Sequence, residues 1–451
     1  MIIIECENEA LKKSVFEFFR MKLPKDYKTL DLKLEIKVED EFIFLELKGD
    51  KINTSDKLNI ENEKAHFIIK RYLFDLFSNY SDFDASFGIL TGVRPLKLIS
   101  KVFDSNTYED SVKILFDKYR IKRIDSDFLY KIYKNQKNVR KNSNINDYNV
   151  YVHIPFCPSR CSYCSFDTTI ENKVKMEAYT ETLIKEIQNC KYNFVEKPKS
   201  IYIGGGTPIS IGIKNLGKII DAILEKFIST REFTVECGRI DSLNLEILQM
   251  LRNKGVNRIS LNPQSFNEEV IAKLNRASNE NFAYWFLKAK EIGFDVVNMD
   301  LIMGLPNESK ESILKSIKKA IEFSPENITL HTLALKNGSK LFENSYINEE
   351  DYGNLLEESK KLMIDSDYEP YYIYRQKKSV ISSENIGYAK KGCSSIYNIV
   401  MMEELESIIG FGLGASTKIL DSKGKFNRKL NTKNLYDYIR GDNFEIKWHF
   451  K

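Results

Sequence analysis

Residues 151–164 read YVHIPFCPSRCSYC, and the placing of Cys157, Cys161 and Cys164 in that stretch decides how the rest of the chain is read. Spacers of three residues and then two put three thiols in one loop, directly after an apolar run at 149–154 that reads as a strand. Three thiolates from a single loop can hold an iron–sulfur cluster while leaving one iron open to another ligand. Zinc is the rival. It wants a fourth ligand, for which His153 is available, although structural zinc sites usually pair cysteines from separate corners of a fold. The other four cysteines, Cys6, Cys190, Cys237 and Cys393, lack metal spacing and read as small hydrophobes.

Outward from the loop, short apolar runs alternate with longer amphipathic ones. NVYVHI, SIYIGG, FTVEC, RISLNP, VVNMDLIMG and NITLHTL are separated by helical patterns near 174–191, 213–229, 243–254, 279–292 and 308–323. Six strand–helix units predict an α/β fold with a helix-covered parallel sheet, either open or barrel-like and too few for an eight-stranded barrel. In such sheets chemistry collects at the carboxyl ends of strands.

Residues 1–145 read as a separate α+β unit. A strand at Ile2–Ile4 precedes an amphipathic helix in NEALKKSVFEFFRMKL, and alternation at Leu32, Leu34, Ile36 and Val38, then at Phe42 and Phe44, reads as a hairpin. Helical patterns follow at 62–79, 110–120 and 125–139, and the polar 134–148 suits a linker. The domains expected are therefore 1–145, 146–340 and 341–451, the last a smaller, tyrosine-rich α+β unit that opens with a helix at 350–366.

A chain of 451 residues is long enough for two or three domains. Its formal charge of +4 gives no mandate for nucleic acid. No run of eighteen apolar residues appears, so no membrane span is expected, and MIIIECENEALKK lacks the order of a secretory leader. Seven cysteines, an odd number, argue against a disulfide framework. A cytoplasmic protein with free or metal-bound thiols is expected.

With the strand, loop and spacing together, YVHIPFCPSRCSYCSF resembles the radical S-adenosylmethionine (SAM) superfamily, and within it the oxygen-independent coproporphyrinogen III dehydrogenase family. That resemblance implies a partial (β/α)6 barrel, with 341–451 covering the substrate. It also implies a 4Fe–4S cluster on Cys157, Cys161 and Cys164, with SAM on the open iron cleaved to methionine and a 5′-deoxyadenosyl radical. By the same resemblance Gly205, Gly206 and Thr207 of YIGGGTP, Glu236 of TVEC, Gln264, Arg276 and Asp300 contact SAM, and Tyr151, Tyr163 and Ala334 match positions lining that site. Read by themselves, a glycine triplet is a turn, Glu236 a surface acid, and Asp300 in an apolar strand one half of a salt bridge.

The C-terminal segments PYYIYRQK, NIGYAKKG and CSSIYNIVMMEE match the HemZ-type subgroup, and so does the long segment before the cysteines that includes FGILTGVRPLKLISK. Phe166 stands where the bacterial dehydrogenase has a further cysteine, as it does in the related heme chaperones. The implied reaction is oxidative decarboxylation of two propionates of coproporphyrinogen III to vinyls in heme biosynthesis. Each loses carbon dioxide, a hydrogen atom to the radical and one electron to an acceptor. The implied partners are a tetrapyrrole and an electron donor such as flavodoxin or ferredoxin. Arg94, Lys97, Arg239, Arg375 and Lys377 are candidates for the substrate carboxylates, with solvated surface charge the alternative for each. His153 reads as packing or support, and the tyrosines at 371–374 as core. The rival functions are a heme-delivery protein, a SAM enzyme that methylates or opens another tetrapyrrole, and a zinc-stapled RNA-modifying protein.

Overall fold

The computed structural model describes residues 2–441 apart from 24–30, 50–51, 61, 79–82, 167, 192–196, 228–229, 345, 347–349, 351, 377–378 and 382. The chain divides into two units, Met1–Tyr133 and Lys134–Lys451. In the first, β1 (Ile2–Cys6), β2 (Leu32–Glu39), β3 (Phe42–Gly49) and β4 (Ile52–Asn59) form one sheet in that order. β1 runs parallel to β2, and the other pairs are antiparallel. Helix Glu9–Lys22 is capped by the Asn8 side chain, which accepts from the Leu11 amide. Its Val15, Phe18 and Phe19 share one core with Leu34, Ile43, Leu45 and Leu47 and with Ile69 and Leu73 of helix Ala65–Phe77.

The hairpin forms where alternation places it, but β3 buries the opposite face from the one Phe42 and Phe44 suggest. A two-residue turn at Asp40 and Glu41 pairs Glu39 with Phe42, which sets the inward Leu34 and Ile36 opposite Leu47 and Leu45. Ile43, Leu45 and Leu47 are therefore the buried set. Phe42 lies outside instead, with the Lys57 ammonium 3.6 Å from its ring centroid. β4 escapes sequence detection because its alternation, in INTSDKLN, has no buried position.

In the second unit all six expected strands form: β5 (Tyr148–Ile154) and, after the short pair β6 (Phe156–Cys157) and β7 (Thr169–Ile170), β8 (Ser200–Gly205), β9 (Glu232–Gly238), β10 (Arg258–Leu261), β11 (Val296–Met303) and β12 (Asn327–Thr332). They are parallel neighbours in the order β5-β8-β9-β10-β11-β12. The fold is thus mixed α/β with a parallel sheet that does not close, the partial barrel expected. The strands within 341–451, a stretch expected as a separate domain, instead extend this sheet at both ends. β13 (Glu369–Arg375) and β14 (Glu384–Ala389) add beyond β12, while β15 (Ser407–Phe411), β16 (Ser416–Leu420) and β17 (Phe426–Leu430) add beyond β5. Contacts therefore keep Lys134–Lys451 together.

The expected linker 134–148 is mostly ordered structure. Helix Arg123–Lys141 runs into it. Gln136 is buried, donating to the Tyr371 carbonyl (2.9 Å) and Glu403 Oε1 (3.2 Å), and Arg140 pairs with Glu403 at 2.8 Å. Polarity there marks a satisfied interface, not a solvated tether. Among the described residues no helix is long and apolar enough to cross a membrane.

One buried acid ties the C-terminal segment to the sheet. Glu232, at the start of β9, accepts from Ser395 Oγ (2.9 Å) and from the amides of Ile396 (2.8 Å) and Tyr397 (3.0 Å) at the head of helix Ile396–Glu403. The carboxylate meets the positive end of that helix. Glu232→Gln keeps one acceptor and replaces the other with a donor facing a donor, so a loss of about 2 kcal/mol is expected. Faster hydrogen exchange at the Ile396 and Tyr397 amides is the check, and unchanged exchange would refute the tie.

Candidate active site

The cysteine loop leaves β5 through Phe156 and Cys157, and β7 returns beside them. It is held from outside itself. The Ser162 amide donates to the Leu274 carbonyl (3.0 Å), the Leu341 amide to the Ser162 carbonyl (3.1 Å), and the Asn275 side chain to the Arg160 carbonyl (3.0 Å). All three thiols border one cavity of about 380 Å³. Among the described residues no three metal-binding side chains are gathered round a single-ion position. Arg239 Nη1 lies 3.5 Å and Arg276 Nη1 3.9 Å from Cys161 Sγ, so two cations face that sulfur. Burial pushes the Cys157 thiol up to about 11, against a hydrogen bond from Thr207, and Cys164 and Cys161 push it the same way. Three crowded thiols cannot all ionise cheaply without bound cations to compensate them. The donor set fits a sulfur-ligated iron cluster.

The other expected residues reach the same cavity from strands of the sheet and the turn after one of them: Tyr151 from β5, Gly205 from β8 with Gly206 and Thr207 just beyond it, Glu236 from β9, and Asp300 from β11. Tyr163, Gln264, Arg276 and Ala334 complete the set. Gly205 has φ +122°, and a Cβ there would meet the Ile154 carbonyl oxygen at 2.8 Å. A Cβ on Gly206 would meet the Phe156 carbonyl oxygen at 2.6 Å and Cys157 Sγ at 2.9 Å. The bare backbone is required by the thiol next to it. Gln264 adopts φ +67°, and its Oε1 is enclosed without a hydrogen-bond partner. Such an atom is open to a donor from a bound molecule or an ordered water.

The two acids differ in charge state. Burial lifts Glu236 to about 7, opposed by a hydrogen bond from Tyr202 Oη (2.6 Å) and reinforced by the Asp300 charge. Burial also acts upward on Asp300, but His331, Asn298 and Thr329 outweigh it and hold that carboxyl below its ordinary value. Asp300 Oδ1 lies 3.8 Å from His331 Nε2 and accepts from Asn298 Nδ2 at 2.8 Å. It is thus both a cavity group and a partnered one, combining the two readings its sequence position allowed.

A pH dependence follows. Glu236 is raised in the fold, so its contribution to stability is full below pH 4.5 and is lost as pH rises through 7. Its ability to accept from a ligand's ammonium or hydroxyl group grows over the same rise. If SAM is the ligand, as the resemblance implies, its affinity is expected to increase about tenfold between pH 6 and 8, and Glu236→Gln to flatten that slope, as read by anaerobic equilibrium binding.

Of the candidate carboxylate holders, Arg239 lines the cavity but is forked onto Asp241 at 3.0 and 2.6 Å. Arg375 is buried in β13, donating to Ser383 Oγ at 2.7 Å, and does not border the cavity. Its charge serves the interior, which corrects the substrate reading. Arg94 and Lys97 belong to the first unit, at the head of helix Pro95–Ser105, and Lys377 falls outside the described residues. Tyr371 is core, while Tyr372 and Tyr374 also border the cavity, Tyr374 Oη lying 3.1 Å from His331 Nδ1. His153 faces the cavity with Nδ1 3.1 Å from Tyr151 Oη. Sequence reading missed His331 and Asn298, although each is a polar residue in an apolar strand, the same signal that exposed Asp300. It also missed Tyr397, which stacks 4.5 Å from Tyr202 and 6.1 Å from Tyr151.

Residues 151–320 match the radical SAM superfamily. The chain is 32% identical over 382 residues to the oxygen-independent coproporphyrinogen-III oxidase-like protein HemZ of Bacillus subtilis, covering 81% of this chain and 76% of that one. It is 32% identical over 269 residues to the heme chaperone HemW of Lactococcus lactis, covering 59% and 68%. The solved coproporphyrinogen III oxidase HemN of Escherichia coli superposes with a TM-score of 0.56 at 22% identity, over 68% of this chain and 72% of that one, a likeness of fold. On these matches the chain belongs to the radical SAM superfamily, in the HemZ-type group of oxygen-independent coproporphyrinogen III oxidase-like proteins.

Proposed function

We propose that this chain is an oxygen-independent coproporphyrinogen III dehydrogenase, converting two propionates to vinyls to give protoporphyrinogen IX. One observation carries the choice within the family. The 382 residues aligned with the HemZ relative exceed the length of the second unit, Lys134–Lys451, so the likeness runs into the first unit, whereas the HemW alignment of 269 residues does not need it. Bound cluster and SAM, when present, supply one-electron cleavage of the sulfonium and hydrogen abstraction from the substrate. Cys157, Cys161 and Cys164 hold the iron. Gly205 and Gly206 let backbone approach SAM, Glu236, Gln264 and Asp300 accept from its amino and hydroxyl groups, and Arg276 faces its carboxylate, with Tyr151, Tyr163, Thr207 and Ala334 closing the walls. Loss of carbon dioxide needs no side-chain base. The reaction requires a reducing compartment such as the cytoplasm and a low-potential donor of the flavodoxin or ferredoxin kind.

Anaerobic incubation of reconstituted protein with reductant, SAM and coproporphyrinogen III, followed by porphyrin chromatography, tests this. Loss of two carbon dioxides is expected. SAM cleavage without a vinyl product would refute the substrate. Phe166, 64% exposed at the cavity wall where the dehydrogenase has a cysteine, favours a second reading as a heme chaperone. Stoichiometric heme binding without decarboxylation would establish that instead.

A further inference from the structure

The cavity's positive charge is unevenly answered. Arg239 has Asp241, and Arg276 is turned onto the carbonyls of Gly238 and Asn262. Arg160 is different. Among the described residues only Nη2 of its three nitrogens has an acceptor, the Gly338 carbonyl at 2.5 Å. Its Nε is enclosed without a partner. A turn in which Ser339 Oγ and the Ser339 amide both donate to the Lys336 carbonyl (3.0 and 3.2 Å) brings Lys336 to the same place, since Gly338 belongs to that turn. Lys336 also borders the cavity, at its solvent-exposed edge. Among the described residues neither cation has a carboxylate within ion-pair distance.

A second hollow of about 310 Å³ adjoins the first and shares Arg160 and Thr168 with it. It adds Lys433 and the apolar Leu413 and Leu435. Phe166 stands exposed on the first hollow's wall. The main cavity, about 380 Å³, is the size of one small ligand, and its two acids and strand-end amides suit the amino and hydroxyl groups of a cofactor. A flat apolar ring system bearing several carboxylates would lie across the two hollows, which Arg160, Lys336 and Lys433 line together with Phe166, Leu413 and Leu435.

We propose that Arg160 and Lys336 form a carboxylate-holding subsite at the cavity mouth, gripping a propionate of the tetrapyrrole other than the one reacting. This rests on the tetrapyrrole reading above. A carboxylate there supplies the acceptor that the Arg160 fork lacks, and charge-assisted bonds of that kind orient as well as hold. Lys336 adds a second cation on the same edge.

The test titrates the anaerobically reconstituted protein with coproporphyrin III and with its tetramethyl ester, following fluorescence quenching, in the parent, Arg160→Gln and Lys336→Gln. Each variant is expected to bind the free acid about tenfold more weakly and the ester as the parent does, with iron content and SAM affinity unchanged. Lys336→Gln lies outside the cysteine loop and decides the matter if Arg160→Gln loses iron. Parent-like binding of the free acid by Lys336→Gln, in a protein that turns over coproporphyrinogen III, overturns the subsite and leaves the function standing. A parent chain that neither binds the acid nor turns over coproporphyrinogen III overturns both.

Discussion

Cys161→Ala is expected to bring SAM cleavage below about a thousandth of the parent rate, because in the proposed function the cluster and SAM carry the chemistry and this sulfur is one of the three that would hold the cluster. Cys161 is the most buried of the three thiols at 7% exposure, and it is the one faced by Arg239 and Arg276. Removing it takes away the sulfur that Arg239 and Arg276 both face, leaving Arg239 to the Asp241 carboxylate, and leaves two thiols where three are proposed to hold the cluster. Iron and acid-labile sulfide per chain should fall with the activity. Cys237→Ala is the control. Cys237 is fully buried one residue beyond Glu236, yet it is absent from the cavity wall. Its loss should cost a little packing and no iron. Retention of iron and SAM cleavage by Cys161→Ala would remove the cluster from this loop altogether.

What the sequence revealed and what it hid have separate physical causes. Strands β5 and β8 to β12 were legible because each is a short apolar run that ends in chemistry, and Glu236 and Asp300 stood out as acids where alternation calls for apolar residues. The faces of the first hairpin were not, since Phe42 and Phe44 satisfy the same period as Ile43 and Leu45, and only the turn at Asp40 and Glu41 chooses between them. The C-terminal strands were hidden for another reason. β15 lies against β5, and β14 against β12, by pairings whose partners are far apart in sequence, so no local pattern announces them. Arg375 misled because a charged residue among tyrosines looks like a ligand contact. Its side chain is buried in β13, and only the packing says so. Gln264 shows the limit most clearly. Its residue type is visible, but the left-handed backbone and the unsatisfied Oε1 that mark it as a candidate exist only in the folded chain.

Gly206→Ala is expected to lower SAM cleavage about a hundredfold while leaving the fold intact. The added methyl would lie 2.6 Å from the Phe156 carbonyl oxygen, 2.9 Å from Cys157 Sγ and 3.0 Å from the Pro155 carbonyl carbon. None of these can yield independently. The Phe156 oxygen accepts from the Thr207 amide at 2.7 Å, and the Gly206 amide itself donates to the Ile154 carbonyl at 2.8 Å. Relief must therefore come from moving the strand end or the cysteine, at an overpacking cost of about 1–3 kcal/mol. A displacement of about 1 Å at reacting groups is itself worth a hundredfold in rate. Gly212→Ala separates this from ordinary backbone strain. Gly212 has φ +88° but nothing within 4 Å of the position a Cβ would take, so alanine there should cost stability without touching SAM. If Gly206→Ala binds and cleaves SAM as the parent does while Gly212→Ala behaves as described, the glycines after β8 are a turn and the cofactor lies elsewhere.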